Sequence, residues 1–468
     1  MVLVFYIEPQ VSRSIMPSTQ LLNRIRNAGV VGAGGAGFPT YQKLSAKVGD
    51  LIVNGAECEP LLAKDRAALL HARPQLLEGL RVMQELTGAE NVTLAVKHKN
   101  EDVLKSYAAD FERTGYRPFV YPDVYPAGDE YVLVFEITGR RIPPGGIPLH
   151  VDCLVDNVET IVNVANAADG MPVVEKFVSI CGAVQQPLTT VVPIGVSIAE
   201  CIQLAGGATV EDPVVLTGGV MMGGVALDLT IPVTKTMGGI IVLPRDHYLI
   251  RRKTASQATY TRIGHGQCDQ CSLCTELCPR YTMGYPIQPH LVMRTLLMTG
   301  EAKQRGSLWA QYCCECNICS LIACPEQLDP KNICVDAKKL LREYGLTRTE
   351  TELQTLFAAP HPVRKGREIP IATLYQRLGL SQYDRPADFH LTNMKPRQVS
   401  VALNSHIGRP AQATVEVGDS VKRGEVIGAV AGDQLGCPAH ASIDGRVTAV
   451  TPSHVTIAPV GSSNLNKG

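Results

Sequence analysis

The chain has 468 residues, 45% of them hydrophobic, with 44 basic and 44 acidic side chains and a formal net charge of zero. That length is too much for one core and predicts several domains, while the balanced charge gives no electrostatic footprint for nucleic acid. No apolar run reaches the roughly 18 residues of a membrane span, so no transmembrane segment is expected.

In chain order, Met1–Ile7 is apolar but short, without a basic n-region or cleavage site. It is set aside in an N-terminal extension (residues 1–18), and Met16 begins a more ordinary helical start. Thr19–Ala28 reads as a helix with Leu21, Leu22 and Ile25 on one face, ending at Gly29. A glycine-rich loop follows, Gly32-Ala33-Gly34-Gly35-Ala36-Gly37-Phe38-Pro39. Leu51–Val53, Val92–Val96 and Pro118–Tyr121 read as strands, and Lys64–Leu86 and Glu101–Arg113 as helices. Strands alternating with helices predict an α/β domain with a mainly parallel sheet over residues 19–165.

Residues 170–250 change character: valine, isoleucine, threonine and paired glycines dominate, and only Ser197–Leu204 looks helical. That pattern predicts a small β-rich domain like a β-grasp. A cysteine-rich module fills 255–345, a charged helical connector 346–395, and short strands with Gly-Asp and Gly-Arg turns 396–468. Val417-Gly418-Asp419 and Asp444-Gly445 in that last region resemble a lipoyl or biotinyl barrel-sandwich. The hairpin tip reads Ala439-His440-Ala441-Ser442, without the lysine that a carrier would modify, so a structural or docking fold is expected.

Of the fifteen cysteines, eight fall into two runs that each end in Cys-Pro. The first is Cys268, Cys271, Cys274 and Cys278. The second is Cys313, Cys316, Cys319 and Cys324. Three cysteines at three-residue steps wrap one face of a [4Fe–4S] cube, and in two-cluster modules the distant Cys-Pro cysteine ligates the other cluster. Cys324 is therefore expected with Cys268, Cys271 and Cys274, and Cys278 with Cys313, Cys316 and Cys319. The second run carries one extra residue before Cys324. Cys314 is a spare thiol, because only Cys313 keeps two residues before Cys316. Structural zinc stays open as an alternative; disulfides between such near neighbours would strain the loop. Cys58, Cys153, Cys181, Cys201, Cys334 and Cys437 read as small buried hydrophobes, with Cys58 the one to watch, and His265 as a solvated loop residue. This cysteine usage points to a reducing cytoplasm.

Glycines let backbone amides approach a phosphate, yet a lone glycine loop is as readily an ordinary turn. Here it has company: Asn54-Gly55-Ala56-Glu57-Cys58-Glu59-Pro60 after the first strand, Tyr125-Pro126-Ala127-Gly128-Asp129-Glu130, and Asp156-Asn157-Val158-Glu159-Thr160. In this order the four segments resemble the flavin-binding domain of the NADH-oxidising subunit of complex I and of its RnfC counterpart in the Rnf complex. The resemblance implies a Rossmann-like flavin domain, a soluble-ligand-binding β-grasp domain and a two-cluster ferredoxin-like helical module within a multidomain α/β chain. It also implies FMN held by Gly32, Gly34, Gly35, Gly37, Lys43, Asn54, Glu57, Gly128, Glu130, Asn157 and Thr160, with Phe38 stacking on the nicotinamide of NADH. The family's basic residue after the first glycine is Ala33 here.

In the Rnf protein the barrel-sandwich comes first; a C-terminal one resembles the cobalamin reductases of propanediol-utilisation microcompartments. That resemblance implies an NADH-dependent oxidoreductase with FMN and two [4Fe–4S] clusters. Its acceptor would be a corrinoid reduced toward cob(I)alamin, its partners an adenosyltransferase and shell proteins, its location the cytoplasm or a microcompartment. An Rnf-type electron-entry subunit and a non-enzymatic zinc- and ligand-binding scaffold remain as alternatives.

Overall fold

A computed structural model describes residues 16–460; the Met1–Ile7 segment, most of the N-terminal extension and the last eight residues of the 396–468 region lie outside the described residues. Five strands belong to the first part of the chain: β1 (Asp50–Gly55), β2 (Asn91–Lys97), β3 (Arg117–Tyr121), β4 (Val124–Tyr125) and β5 (Cys153–Asn157). Four of them form a parallel sheet in the order β3-β2-β1-β5. Parallel sheets are covered on both faces, and this one is. Leu51, Val53, Leu94, Val96 and Leu154 pack under the helices Arg73–Thr87 and Val158–Ala168. Ile52 and Val155 pack on the other face with Val134, from the helix Glu130–Thr138, and Ile142.

Two expected helices are interrupted. Lys64–Leu86 divides into Lys64–His71 and Arg73–Thr87 at Ala72, because Pro74 sits in the first turn of the second helix and cannot continue the first. Glu101–Arg113 divides into Glu101–Ser106 and Ala108–Thr114 at Tyr107. The Tyr107 ring is fully buried and its hydroxyl donates to the Leu69 carbonyl, so tertiary burial overrides local periodicity.

The β-rich region is one mixed sheet of β6 (Glu175–Gly182), β7 (Leu188–Pro193), β8 (Pro213–Thr217), β9 (Gly224–Ala226) and β10 (Gly239–Pro244), ordered β7-β6-β10-β8-β9. Only β6 and β10 run parallel, and one helix, Ile198–Leu204, is capped by Ser197. Its paired glycines are contact seats as well as turns. A Cβ on Gly219 would lie 2.4 Å from Glu59 Cδ, and one on Gly238 would lie 2.3 Å from Lys64 Cε. The five-stranded domain thus closes directly onto the loop and helix that follow β1.

Between residues 248 and 343 the chain is helical around the cysteine loops, with Val292, Met293, Ala310, Leu328, Ile333 and Ala337 as a small core. The connector is less helical than expected. It holds two regular helices, Glu350–Leu356 and Ile371–Arg377. Between them β11 (Ile369–Pro370) pairs antiparallel with β4, back in the first domain. Farther on, the Thr189 N–H donates to Asp388 O and the His390 N–H to Thr189 O, both at 2.9 Å, extending the edge of β7. The connector is therefore a strap across two domains.

The last region forms two small sheets from β12 (Val399–Ala402), β13 (Gln412–Ala413), β14 (Ser420–Val421), β15 (Val426–Ala429), β16 (Ala439–His440), β17 (Gly445–Val450) and β18 (His454–Ala458). Their orders are β12-β18-β17-β14 and β13-β15-β16, and Val399, Val401, Ile427, Val447, Val455 and Ile457 fill the core they share. Its hairpin tip is buried rather than presented: His440 is 4% exposed and the Ser442 hydroxyl donates to Ile194 O of the five-stranded domain. Lys235 Nζ donates to Gly29 O at 2.8 Å and Pro438 O at 3.1 Å, pinning three domains at one point.

Candidate functional site

The loops after β1, β2, β4 and β5 meet at the carboxyl edge of the parallel sheet, where open α/β sheets bind ligands. The glycine loop closes there: the Gly32 N–H donates to Phe38 O at 2.9 Å and the Gly37 N–H to Gly32 O at 3.1 Å. Gly35, at φ +124°, has open space where a Cβ would stand. The Ala33 N–H donates to Thr160 Oγ1 at 2.9 Å, fastening the loop to the first turn of Val158–Ala168. Asn157 caps that helix through the Glu159 N–H, and a Cβ on Gly34 would lie 3.3 Å from the Asn157 Cβ. Phe38 is half-buried and belongs to none of the hydrophobic clusters among the described residues.

Lys43 Nζ donates to Val155 O and Asp156 Oδ1, both at 3.0 Å. Burial opposes its charge, but Asp156 and Glu130 outweigh burial and raise its pKa. Asn54 Nδ2 donates to Gly128 O at 2.9 Å, and a Cβ on Gly128 would stand 3.0 Å from Ala56 O. Glu57 accepts from the Asp65 N–H at 3.4 Å, and its carboxyl is pushed up to about 7, by burial first and then by the Asp65 charge. Most of the candidate residues of this edge are therefore held by hydrogen bonds or close contacts to one another or to neighbouring loops, while Gly35 faces open space.

Several members were not named as candidates, although Glu59 and Asp156 stand within the polar segments quoted above. Asp65 accepts from Asn157 Nδ2 at 3.0 Å and pairs with Lys64. Glu59 accepts from the Met221 and Met222 N–H groups at 2.7 and 2.9 Å. Lys97 ends β2 with its Nζ buried and unpartnered, its pKa brought down to about 8 by burial and then by Lys99. Asp156 Oδ2 is likewise buried without a partner. For Lys97 the available hint was a charge directly after an apolar strand. Cys58 is quiet: burial first, then the Glu59 charge, pushes its thiol up to about 12.

The two cysteine runs fold alike. Gln270 and Ser272 have φ of +56° and +68°, and Glu315 and Asn317 have +60° and +69°. These positions coincide when Cys313, not Cys314, is set against Cys268. Non-glycine residues rarely adopt this region, so the repeat is a specific loop form. Cys268, Cys271 and Cys274 line one small cavity with Cys324. Cys278 neighbours Cys313, Cys316 and Cys319 instead. We refer to these as the outer and inner groups, because Cys271 is exposed while Cys278, Cys316 and Cys319 are buried.

Backbone amides point at sulfur in both: Glu315 N–H to Cys313 Sγ at 3.4 Å, and Leu328 N–H to Cys324 Sγ at 3.3 Å. Cys314 and Cys334 add two thiols beside the inner group. Among the described residues no three His, Cys, Asp or Glu side chains converge as a single metal ion requires. Cys153, Cys181, Cys201 and Cys437 are buried free thiols elsewhere. His265 is exposed as expected, but on the helix Gln257–Gln267 rather than in a loop, since Ser256 caps a helix that runs up to Cys268.

The inner group abuts the carboxyl edge of the sheet. The Tyr125 hydroxyl donates to Cys316 O at 2.8 Å. Arg280 Nη2 donates to Asp129 Oδ2 at 2.9 Å. Asn317 Nδ2 donates to Met221 O of the five-stranded domain at 3.1 Å.

Comparison with known proteins accords with this layout. The Nuo51 FMN-binding domain family matches residues 25–166, the 4Fe-4S dicluster domain family 267–329, and the RnfC barrel sandwich hybrid domain family 389–462. The cobalamin reductase PduS of Salmonella typhimurium is 40% identical over 446 residues, covering 94% of this chain and 97% of that protein. Its counterpart from Citrobacter freundii is 39% identical, covering 93% and 95%. A component of the proton-translocating ferredoxin:NAD(+) oxidoreductase complex of Clostridium ljungdahlii is 30% identical, but over 56% of each chain. With an FMN-binding domain, a 4Fe-4S domain and near full-length similarity to both reductases, the chain belongs to the cobalamin reductase PduS family of oxidoreductases.

Proposed function

We propose that the chain is an NADH-dependent electron relay that reduces the cobalt of a corrinoid toward the cob(I) state. The observation that carries this reading is the direct packing of the inner cysteine group on the Tyr125–Tyr131 segment of the sheet edge. The residues present fit a flavin phosphate and ring at that edge: an open glycine cradle, a charge-supporting Lys43, and the orphaned polar atoms of Lys97 and Asp156. Gly32, Gly34, Gly35, Gly37, Lys43, Asn54, Glu57, Gly128, Glu130, Asn157 and Thr160 would hold FMN. Phe38, uncommitted to any core, would stack on the nicotinamide.

The cysteines fit two [4Fe–4S] clusters, Cys278, Cys313, Cys316 and Cys319 holding the inner and Cys268, Cys271, Cys274 and Cys324 the outer. Their spread beyond single-ion spacing and the amides aimed at sulfur favour a cube over zinc. When bound, FMN exchanges electrons in pairs with a nicotinamide and singly with iron–sulfur centres. The protein's own part is to hold the sheet edge, inner group and outer group in a fixed row that ends at the exposed Cys271. We read the five-stranded domain as a β-grasp and the parallel-sheet domain as Rossmann-like. The name of the relatives motivates the corrinoid; the adenosyltransferase partner and the place inside a microcompartment rest on the resemblance read from the sequence. No helix among the described residues is long and apolar enough to cross a membrane.

The test is an anaerobic absorbance titration of reconstituted protein with NADH, followed by cob(II)alamin. Flavin and cluster bleaching by NADH, with recolouring as cobalamin is reduced, is expected. A colourless, zinc-bearing protein, or one indifferent to NADH, overturns the relay.

A further inference from the structure

Arg280 follows Cys278-Pro279 directly, so the segment that delivers Cys278 to the inner group also carries a guanidinium. That guanidinium is almost wholly buried, at 8% exposure. One side of it is fully committed to the sheet edge: Nη2 donates to Asp129 Oδ2 at 2.9 Å, and its carbon lies 3.5 Å from the centre of the Tyr131 ring. Asp129 also caps the helix Glu130–Thr138 by accepting the Tyr131 N–H at 2.8 Å. The other side is uncommitted. Nη1 is buried with no partner at hydrogen-bond distance, and the thiol beside the guanidinium is Cys314, the cysteine outside the loop register.

A buried cation with an unpartnered donor nitrogen is costly unless something anionic completes it. Asp129 supplies one negative charge. The guanidinium lies beside Cys314, which in turn neighbours Cys316 of the inner group, where reduction would add another.

We propose that Arg280 is a positioning residue that couples the sheet edge to the inner cysteine group and sets the potential at which that group accepts an electron. The inference rests on the relay reading above. A fixed positive charge in a low-dielectric setting favours the more negative, reduced state, so Arg280 raises the inner potential and Asp129 moderates it. The two residues thus act with opposite sign. Mere loosening of the packing would move both variants the same way.

The experiment is an EPR-monitored redox titration of the full reconstituted protein, with iron and FMN counted first. Arg280→Gln is expected to keep both clusters but lower the inner midpoint, with a roughly tenfold drop in the reduced-to-oxidised ratio at fixed potential, about 59 mV for a one-electron couple. Asp129→Asn keeps the helix cap, since asparagine accepts the same N–H, and is expected to raise the inner midpoint. The outer midpoint stays put in both. Unmoved inner midpoints, or shifts in the same direction, overturn the proposal. If Arg280→Gln fails to take up iron, Asp129→Asn decides alone, and an unmoved or lowered midpoint there is fatal. Wild-type protein without two cluster signals would instead sink the relay reading itself.

Discussion

The inner and outer cysteine groups share one loop form and differ in everything around it. Both repeat the same pair of left-handed residues. The inner one shares a hydrophobic cluster with Tyr125, Cys58, Leu277 and Ile318 and has Arg280 beside its neighbour Cys314, while the outer one meets His290, Met293 and an exposed Cys271. The lesson is that loop form is local and encoded by spacing, whereas the surroundings of each group are set by neighbours from distant parts of the chain. One group faces the sheet edge and the other faces solvent, which gives the row a direction.

The largest expected effect breaks the row at its inner member. Cys316→Ser should reduce NADH-driven corrinoid reduction to background while leaving flavin bleaching by NADH intact, read by anaerobic stopped flow. Cys271→Ser sharpens the contrast: the inner signal should still appear on NADH addition by EPR, with onward transfer lost.

Next in size is Gly128→Ala. Its methyl would meet Ala56 O at 3.0 Å, an overpacking of about 1–3 kcal/mol that should lower FMN content, measured by released flavin. Tyr125→Phe leaves the buried Cys316 carbonyl without its donor, costing about 1–2 kcal/mol; denaturant titration should show the loss, with the sheet-edge flavin retained.

The smallest effect is a pH dependence. Glu57 has a folded pKa near 7, above its ordinary value of 4.5. A raised carboxyl means the folded state holds its proton more tightly. Its contribution is therefore fully present below about 4.5, fades as pH rises toward 7, and is gone above. In the cofactor-free protein, Glu57→Gln should flatten that window, seen as a smaller change in Tm between pH 5 and 8 than in wild type.

Much of this was legible in the sequence. The cysteine spacing, the strands that became β1 to β3, the glycine loop and the small sandwich at the end all follow from local rules. Arg280 was not legible, because an arginine after Cys-Pro looks like any surface cation until Asp129 and Tyr131 are brought beside it. Lys64 and Glu59 were hidden for the same reason: their partners are the glycine seats and backbone amides of a domain about 160 residues away. The strap eluded composition because β11 is two residues long and pairs with another strand of two. Its register exists only once the first domain has folded.

The buried tip of the C-terminal sandwich has one more implication. In swinging-arm carriers, a mobile lysine ferries cargo between stations, and turnover depends on the reach of a tether. Here His440 is wedged beneath Gly29 and Lys235, and the strap tethers the cysteine region from its other end. In the proposed relay the acceptor comes to the protein, so throughput should depend on acceptor concentration and hopping distance, and stiffening the domain seams should leave it undiminished.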